Sequence, residues 1–327
     1  MVNMTVEAAT SPAPNGALIT ALPLRGVVTH AGSGVESLSA CLGIPHVQLG
    51  YALAEAGTLA ELDFVVVEGV PAADAVFVAL AALPRRGRLV YWVEGRLGGL
   101  AGIAPSDARI QAQALAAADI VAVVNERTIP YYRLLTSAPV VWWGVPYYEH
   151  ITRELALAPE QRAPDLVVLG ASPSAAAKNA LASALVAARC GLRVLTFGTA
   201  QDRDELATAG VDATVAPITD SVGAVRAMAS ARLAVHLDPR DTWGRFSLDC
   251  AAVGIPCVGS DRVDTQARLF PELTLDWLDG DGAVSLVKRL LSDRAFYDDA
   301  VTYARNQLPD FGFDAARTRI LSTLNRS

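Results

Sequence analysis

Short runs of β-branched and apolar residues recur along almost the whole chain, each separated from the next by an Ala- and Leu-rich stretch of helical length. Runs such as Phe64–Glu68 (FVVVE) and Ile120–Val124 (IVAVV) show no alternation of apolar and polar positions. A strand has this pattern when helices cover both faces of its sheet, as in parallel α/β sheets. The expected strands of a first series are Gly26–His30, His46–Gly50, Phe64–Glu68, Leu89–Glu94, Ile120–Val124 and Val140–Val145. Helical patterns between them are clearest at Ala72–Leu83, Ser106–Ala117 and Glu126–Thr136. A second series follows at Leu166–Leu169, Arg193–Phe197, Thr214–Pro217, Leu233–Leu237, Pro256–Gly259 and Leu273–Trp277.

At about 150 residues per domain, 327 residues fit two such units. The expected organisation is a loose tail over 1–15, a doubly wound Rossmann-like domain over 16–148, a polar linker over 149–164 and a second such domain over 165–327. The closing helical stretches, Ala295–Gln307 and Asp314–Leu324, are expected to return to the first domain. A hydrophobic content of 52% with 19% charged residues excludes a disordered chain. Lys and Arg number 27 against 34 Asp and Glu, a net charge of −7, which argues against a nucleic-acid partner.

Cys41, Cys190, Cys250 and Cys257 are too scattered for a disulfide scaffold or a zinc knuckle, and no metal site is expected. The apolar stretch Ala114–Val124 is interrupted by Asp119 and is too short to span a bilayer. No basic segment precedes an apolar block at the start of the sequence, so the expected location is cytoplasmic. Peripheral membrane contact and oligomeric state stay open.

Chemistry concentrates between Leu237 and Asp261. An apolar strand ends there in a loop holding Asp241, Trp243 and Gly244; a helix carrying Asp249 follows and stops at Gly254. The loop–helix junction offers free backbone N–H groups and a positive dipole end, which suit a phosphate. Asp241 and Asp249, eight positions apart, can face one cleft and accept hydrogen bonds from sugar hydroxyls. Singly, Asp241 reads equally as a helix cap and Asp249 as a solvated helix residue.

This stretch resembles the acidic motif of retaining GT-B glycosyltransferases of family four: two Glu separated by seven residues around a Phe-Gly pair, then Glu-Ala-Met-Ala-x-Gly-x-Pro-Val-Val. Asp241 and Asp249 hold the acidic positions, Trp243-Gly244 the aromatic-Gly pair, and Ala251-Ala252-Val253-Gly254-Ile255-Pro256-Cys257-Val258 follows in register. The resemblance implies that Asp249 holds the ribose of a nucleotide-sugar donor and that Asp241 contacts the transferred sugar. Gly244, Arg245 and Phe246 would meet sugar or diphosphate. Both acids are Asp, shorter than Glu by about 1.5 Å, so the loop must sit closer or a water must bridge.

Further matches follow the same family. Leu166–Gly170 resembles its first strand of the second domain, after which Lys178-Asn179 stands for a Lys-Gly pair whose Lys would neutralise the departing diphosphate. A solvent-facing helix lysine is the alternative. The family's Arg position holds Ala171, leaving Arg240 or Arg245 to substitute. Val194–Thr199 resembles the next strand and its turn; Val215 and Ile218 fall where the family packs a loop on the nucleobase.

In the first series, His30-Ala31-Gly32-Ser33-Gly34 resembles the Gly-rich turn that faces donor phosphates and acceptor, with an ordinary strand–helix turn as the alternative. His30 is a modest catalytic candidate beside a local structural role. Glu94 takes the place of a family His or Asp next to the acceptor, or pairs with Arg96 or Arg127. Trp142-Trp143 and Tyr147-Tyr148 either line an acceptor cleft or pack the seam between domains.

The expected function is therefore a retaining glycosyltransferase that needs no cofactor or metal, taking a UDP- or GDP-sugar and a small-molecule or glycan acceptor. The alternatives are a nucleotide-sugar epimerase on the same fold and a catalytically weakened binding or scaffold protein, to which Ala171 and the two Asp-for-Glu replacements point.

Overall fold

The computed structural model describes residues 14–20, 34–93, 104–217 and 221–325. Among these, two six-stranded parallel sheets form in succession. The first comprises β1 (Gly16–Thr20), β2 (His46–Gln48), β3 (Phe64–Glu68), β4 (Arg88–Val93), β5 (Ile120–Val123) and β6 (Val140–Trp142) in the order β2-β1-β3-β4-β5-β6. The second comprises β7 (Ala163–Leu169), β8 (Arg193–Phe197), β9 (Ala213–Ala216), β10 (Ala231–His236), β11 (Cys257–Ser260) and β12 (Thr274–Leu275) in the order β12-β11-β10-β7-β8-β9. This is the α/β, doubly wound architecture that the continuous apolar runs imply.

The absence of alternation in those runs has a direct structural cause. Leu18, Val66, Val90 and Trp92 face one apolar core, while their neighbours Ala17, Ile19, Val65, Val67 and Tyr91 face another. Successive strand side chains point to opposite faces, so a sheet covered twice needs apolar residues at every position. The first of these cores continues into the second sheet through Trp143, Val145 and Val167.

β1 was not among the expected strands, and the expected Gly26–His30 strand lies outside the described residues. β1 pairs in parallel with both β2 and β3, aligning Leu18 with His46 and Val66.

Two chain crossings join the halves. Tyr147 donates its N–H to the Phe311 carbonyl (2.9 Å), so the first crossing runs beside the second. The last helix, Phe313–Leu324, packs on the Gly34–Leu42 helix; Arg317 donates to the carbonyls of Cys41 (3.0 Å) and Leu42 (2.9 Å). Trp143 Nε1 donates to Thr323 Oγ1 at 2.8 Å. Among the described residues, no helix is long and apolar enough to cross a membrane.

Candidate active site

In the second sheet the chain runs outward from β7 through β8 to β9, then returns to the other side of β7 and continues from β10 to β12. The loops leaving β7 and β10 therefore diverge, and a crevice opens beyond their carboxyl ends. It is a cleft of about 750 Å³, lined from the second half by Lys178, Asp238, Arg240, Gly244 and Asp249 among others, and from the first by Gly34, Val124 and Tyr147.

β10 delivers three alternate residues to this cleft: His236 at its end, then Asp238 and Arg240. Asp238 is 1% exposed. Arg240 grips it in a planar fork, Nε to Oδ1 at 2.9 Å and Nη2 to Oδ2 at 2.7 Å, and its backbone N–H adds a bond to Oδ1 at 3.0 Å. Burial alone would raise the Asp238 pKa, but Arg240 and His236 outweigh it and hold the carboxyl below its ordinary value. Arg240 is raised in turn.

His236 lies 3.5 Å from Asp238, yet burial pushes its pKa down to about 4, helped by Lys178 and Arg240 and opposed by Asp238. The imidazole is neutral at pH 7, so this contact is not an ion pair. Gly170, where β7 ends, passes so close to His236 that a Cβ there would collide with the ring.

The Arg245–Val253 helix begins at Gly244, whose φ of +91° favours glycine. A Cβ there would also strike Val263. Gly244, Arg245 and Phe246 line the cleft, so the first-turn amides of this helix open onto it. One turn on, Asp249 is 7% exposed. Tyr147 donates its hydroxyl to Asp249 Oδ1 at 2.7 Å, and Arg245 Nε stands 3.5 Å from Oδ2. Burial, and then the Asp249 charge, push the Tyr147 pKa well above its usual value, so it stays a donor.

A polar clasp holds the halves beside the cleft. Asn125, after β5, donates to the carbonyls of Thr242 (3.0 Å) and Arg262 (2.9 Å). Arg127 Nη1 pairs with Asp261 at 2.8 Å.

Several solved structures share this architecture. HepE from Anabaena, solved with UDP and glucose, superposes with a TM-score of 0.72 at 11% identity, covering 94% of this chain and 99% of that one. Sucrose-phosphate synthase from Thermosynechococcus elongatus gives 0.68 at 15%, covering 84% and 76%. The α,α-trehalose 6-phosphate synthase of Burkholderia multivorans gives 0.67 at 13%, covering 84% and 72%. The chain has the GT-B fold. No protein-family model and no curated protein sequence matches it.

Of the residues singled out from sequence, Lys178, Asp249, Gly244, Arg245, Phe246 and Gly34 line the GT-B cleft together. Asp241 does not line it: Arg262 Nη1 stands 3.6 Å from its carboxylate, and the neighbouring Thr242 faces the cleft instead. Neither does Asp241 cap the helix, whose N-cap is Gly244. Val215 is buried within β9, opposite Thr196, and does not reach the cleft either. His30, Gly32, Ser33, Glu94 and Ile218 lie outside the described residues.

Tyr147 and Tyr148 line the GT-B cleft, while Trp142 and Trp143 pack the seam. Trp142 is stacked between the guanidinium groups of Arg268 (4.1 Å) and Arg319 (4.2 Å). Sequence reasoning did not single out His236 and Asp238. Their signal was the alternation His-x-Asp-x-Arg at the exit of the apolar strand expected over Leu233–Leu237. Among the described residues, no group of three or more His, Cys, Asp or Glu converges as a metal site would require.

Proposed function

We propose that this GT-B chain is a glycosyltransferase that moves a sugar from a nucleotide-sugar donor to an acceptor hydroxyl with retention of configuration. The observation that carries this reading is one convergence at the β7–β10 crevice. Buried Asp249, the cations of Lys178, Arg240 and Arg245, and the amides of a helix start all border the same cleft.

In this reading Asp249, oriented by Tyr147, accepts the ribose hydroxyls. The amides from Gly244 to Phe246 meet the diphosphate. Lys178 and Arg240 neutralise the charge that grows on the leaving group, a large term in reactions of this kind. Arg240 supplies the cation that Ala171 lacks, because Asp238 fixes its fork at the cleft wall. With Asp241 engaged by Arg262, the contact to the transferred sugar passes to Thr242 and Gly244. The acceptor enters from the first half. Its hydroxyl attacks the anomeric carbon on the face the diphosphate leaves, the carbon–oxygen bond to the phosphate breaks, and the hydroxyl proton passes to the departing phosphate oxygen. The protein contributes positioning and charge rather than a nucleophile.

HepE, which has the same fold, was solved with UDP and glucose, so UDP-glucose is the first donor to test. Calorimetry with UDP- and GDP-sugars, followed by product analysis, tests the reading. Tight donor binding with slow donor hydrolysis supports it. Inversion of the sugar would favour an epimerase, and no nucleotide binding a scaffold protein. Lys178→Ala lowers turnover more than donor affinity; an unchanged rate would remove Lys178 from the diphosphate.

A further inference from the structure

A second groove, of about 560 Å³, shares no residue with the cleft. One wall is the segment 156–162 leading into β7, and the other is the Arg294–Gln307 helix. Three arginines line it, Arg162, Arg294 and Arg305, against the single carboxylate of Asp298.

Their pairing is uneven. Arg294 is taken by Asp298 at 2.7 Å. Arg162, 9% exposed, caps the end of the Arg245–Val253 helix, with Nη1 to the Gly254 carbonyl at 2.6 Å and Nη2 to the Val253 carbonyl at 3.0 Å. These are uncharged acceptors, so its positive charge meets no carboxylate there, and its buried Nε has no hydrogen-bond partner among the described residues. Arg305 lies against Gly254, where a Cβ would collide with its guanidinium. Among the described residues it forms no ion pair, and burial followed by repulsion from Arg162 and Arg153 pulls its pKa below the ordinary value. Arg305 and Arg162 bring two like charges to one groove, and an anion set on Arg305 relieves their repulsion.

We propose that this groove is a binding site for a phosphate monoester, its phosphate on Arg305 with the buried charge of Arg162 behind, its organic part on Leu157, Pro159 and Val301. The site stands independently of the proposed transferase activity. Its two walls lead into the two chain crossings between the halves, so an occupied groove ties those segments together.

The test uses the full chain with phenyl phosphate, inorganic phosphate, and chloride at matched ionic strength, reading the thermal midpoint. Phenyl phosphate is expected to raise the midpoint in a saturable way, inorganic phosphate more weakly, and chloride not at all. Arg305→Gln should weaken the apparent affinity at least tenfold, the scale of one charge-assisted hydrogen bond, whereas Lys178→Ala should leave it unchanged. Mass spectrometry after dicarbonyl modification of arginines should show Arg305 protected by phenyl phosphate in the unmutated protein, which decides the matter if the variant does not fold. An equal rise with chloride, an unaltered affinity in Arg305→Gln, or no protection of Arg305 would overturn the site. Loss of the effect in Lys178→Ala would move the anion to the cleft, and equal binding of inorganic phosphate would overturn the ester assignment.

Discussion

The hydroxyl of Tyr147, on the crossing that leaves the first half, donates a 2.7 Å hydrogen bond to Oδ1 of Asp249 on a helix of the second. Tyr147 and Asp249 are both largely buried, and both line the cleft. The bond joins the two halves at the residue proposed to hold the donor. Tyr147→Phe removes one donor from a buried carboxylate, a loss of about 1–3 kcal/mol. Urea denaturation should show that loss, and nucleotide titration a weaker affinity. A variant as stable and as tight-binding as the parent would show that the bond does neither job.

Arg240 and Asp238 form a fork that no other cation can copy. Lysine keeps the charge but presents it as a point, not as two parallel donors. Arg240→Lys should therefore lose much of the turnover, while Arg240→Ala should also lose about 1–3 kcal/mol of stability, because Asp238 is left buried and unpaired. Adding Asp238→Asn to Arg240→Ala should restore part of the stability and none of the rate. Steady-state kinetics beside denaturation separates the two effects; full activity in Arg240→Lys would refute the fork's role.

Two buried groups act on the pH dependence of stability with opposite sign. His236 falls from 6.5 to about 4 on folding, because burial opposes its charge. Between those values the unfolded chain binds more protons, so this contribution is complete above pH 6.5 and is lost as pH falls toward 4. Asp74 rises from 3.8 to about 6, through burial first, with its Tyr91 hydrogen bond opposing and Asp107 adding. There the folded chain binds more protons, and the contribution present at low pH is lost as pH rises through 6. Each acts with a slope of at most about 1.4 kcal/mol per pH unit. Urea denaturation from pH 4 to 7 should show a shallower acid loss in His236→Gln than in the parent, and a steeper one in Asp74→Asn. Parallel curves would contradict both assignments.

The architecture was legible because double coverage of a sheet leaves its mark on every strand position. Phe64–Glu68 and Arg193–Phe197 read as strands with their observed bounds. β7 begins at Ala163, ahead of the expected Leu166, because Pro164 and Asp165 give its start a polar look. β1 was hidden by its nearness to a Pro- and Ala-rich beginning. At the cleft, the helix carrying Asp249 and its glycine stop at Gly254 were readable from local spacing. The orientation of Asp241 was not, since Arg262 lies on another segment and only the fold brings them together. The same limit hid the hold of Tyr147 on Asp249, which spans 102 positions.

Calorimetric titration of UDP-glucose and GDP-sugars into the parent and Asp249→Ala tests the donor assignment most directly. A ribose that loses a charged acceptor loses about 1.5–3 kcal/mol, so affinity should fall at least about tenfold. Equal affinity in a folded Asp249→Ala would contradict the account, leaving this cleft as architecture without a nucleotide.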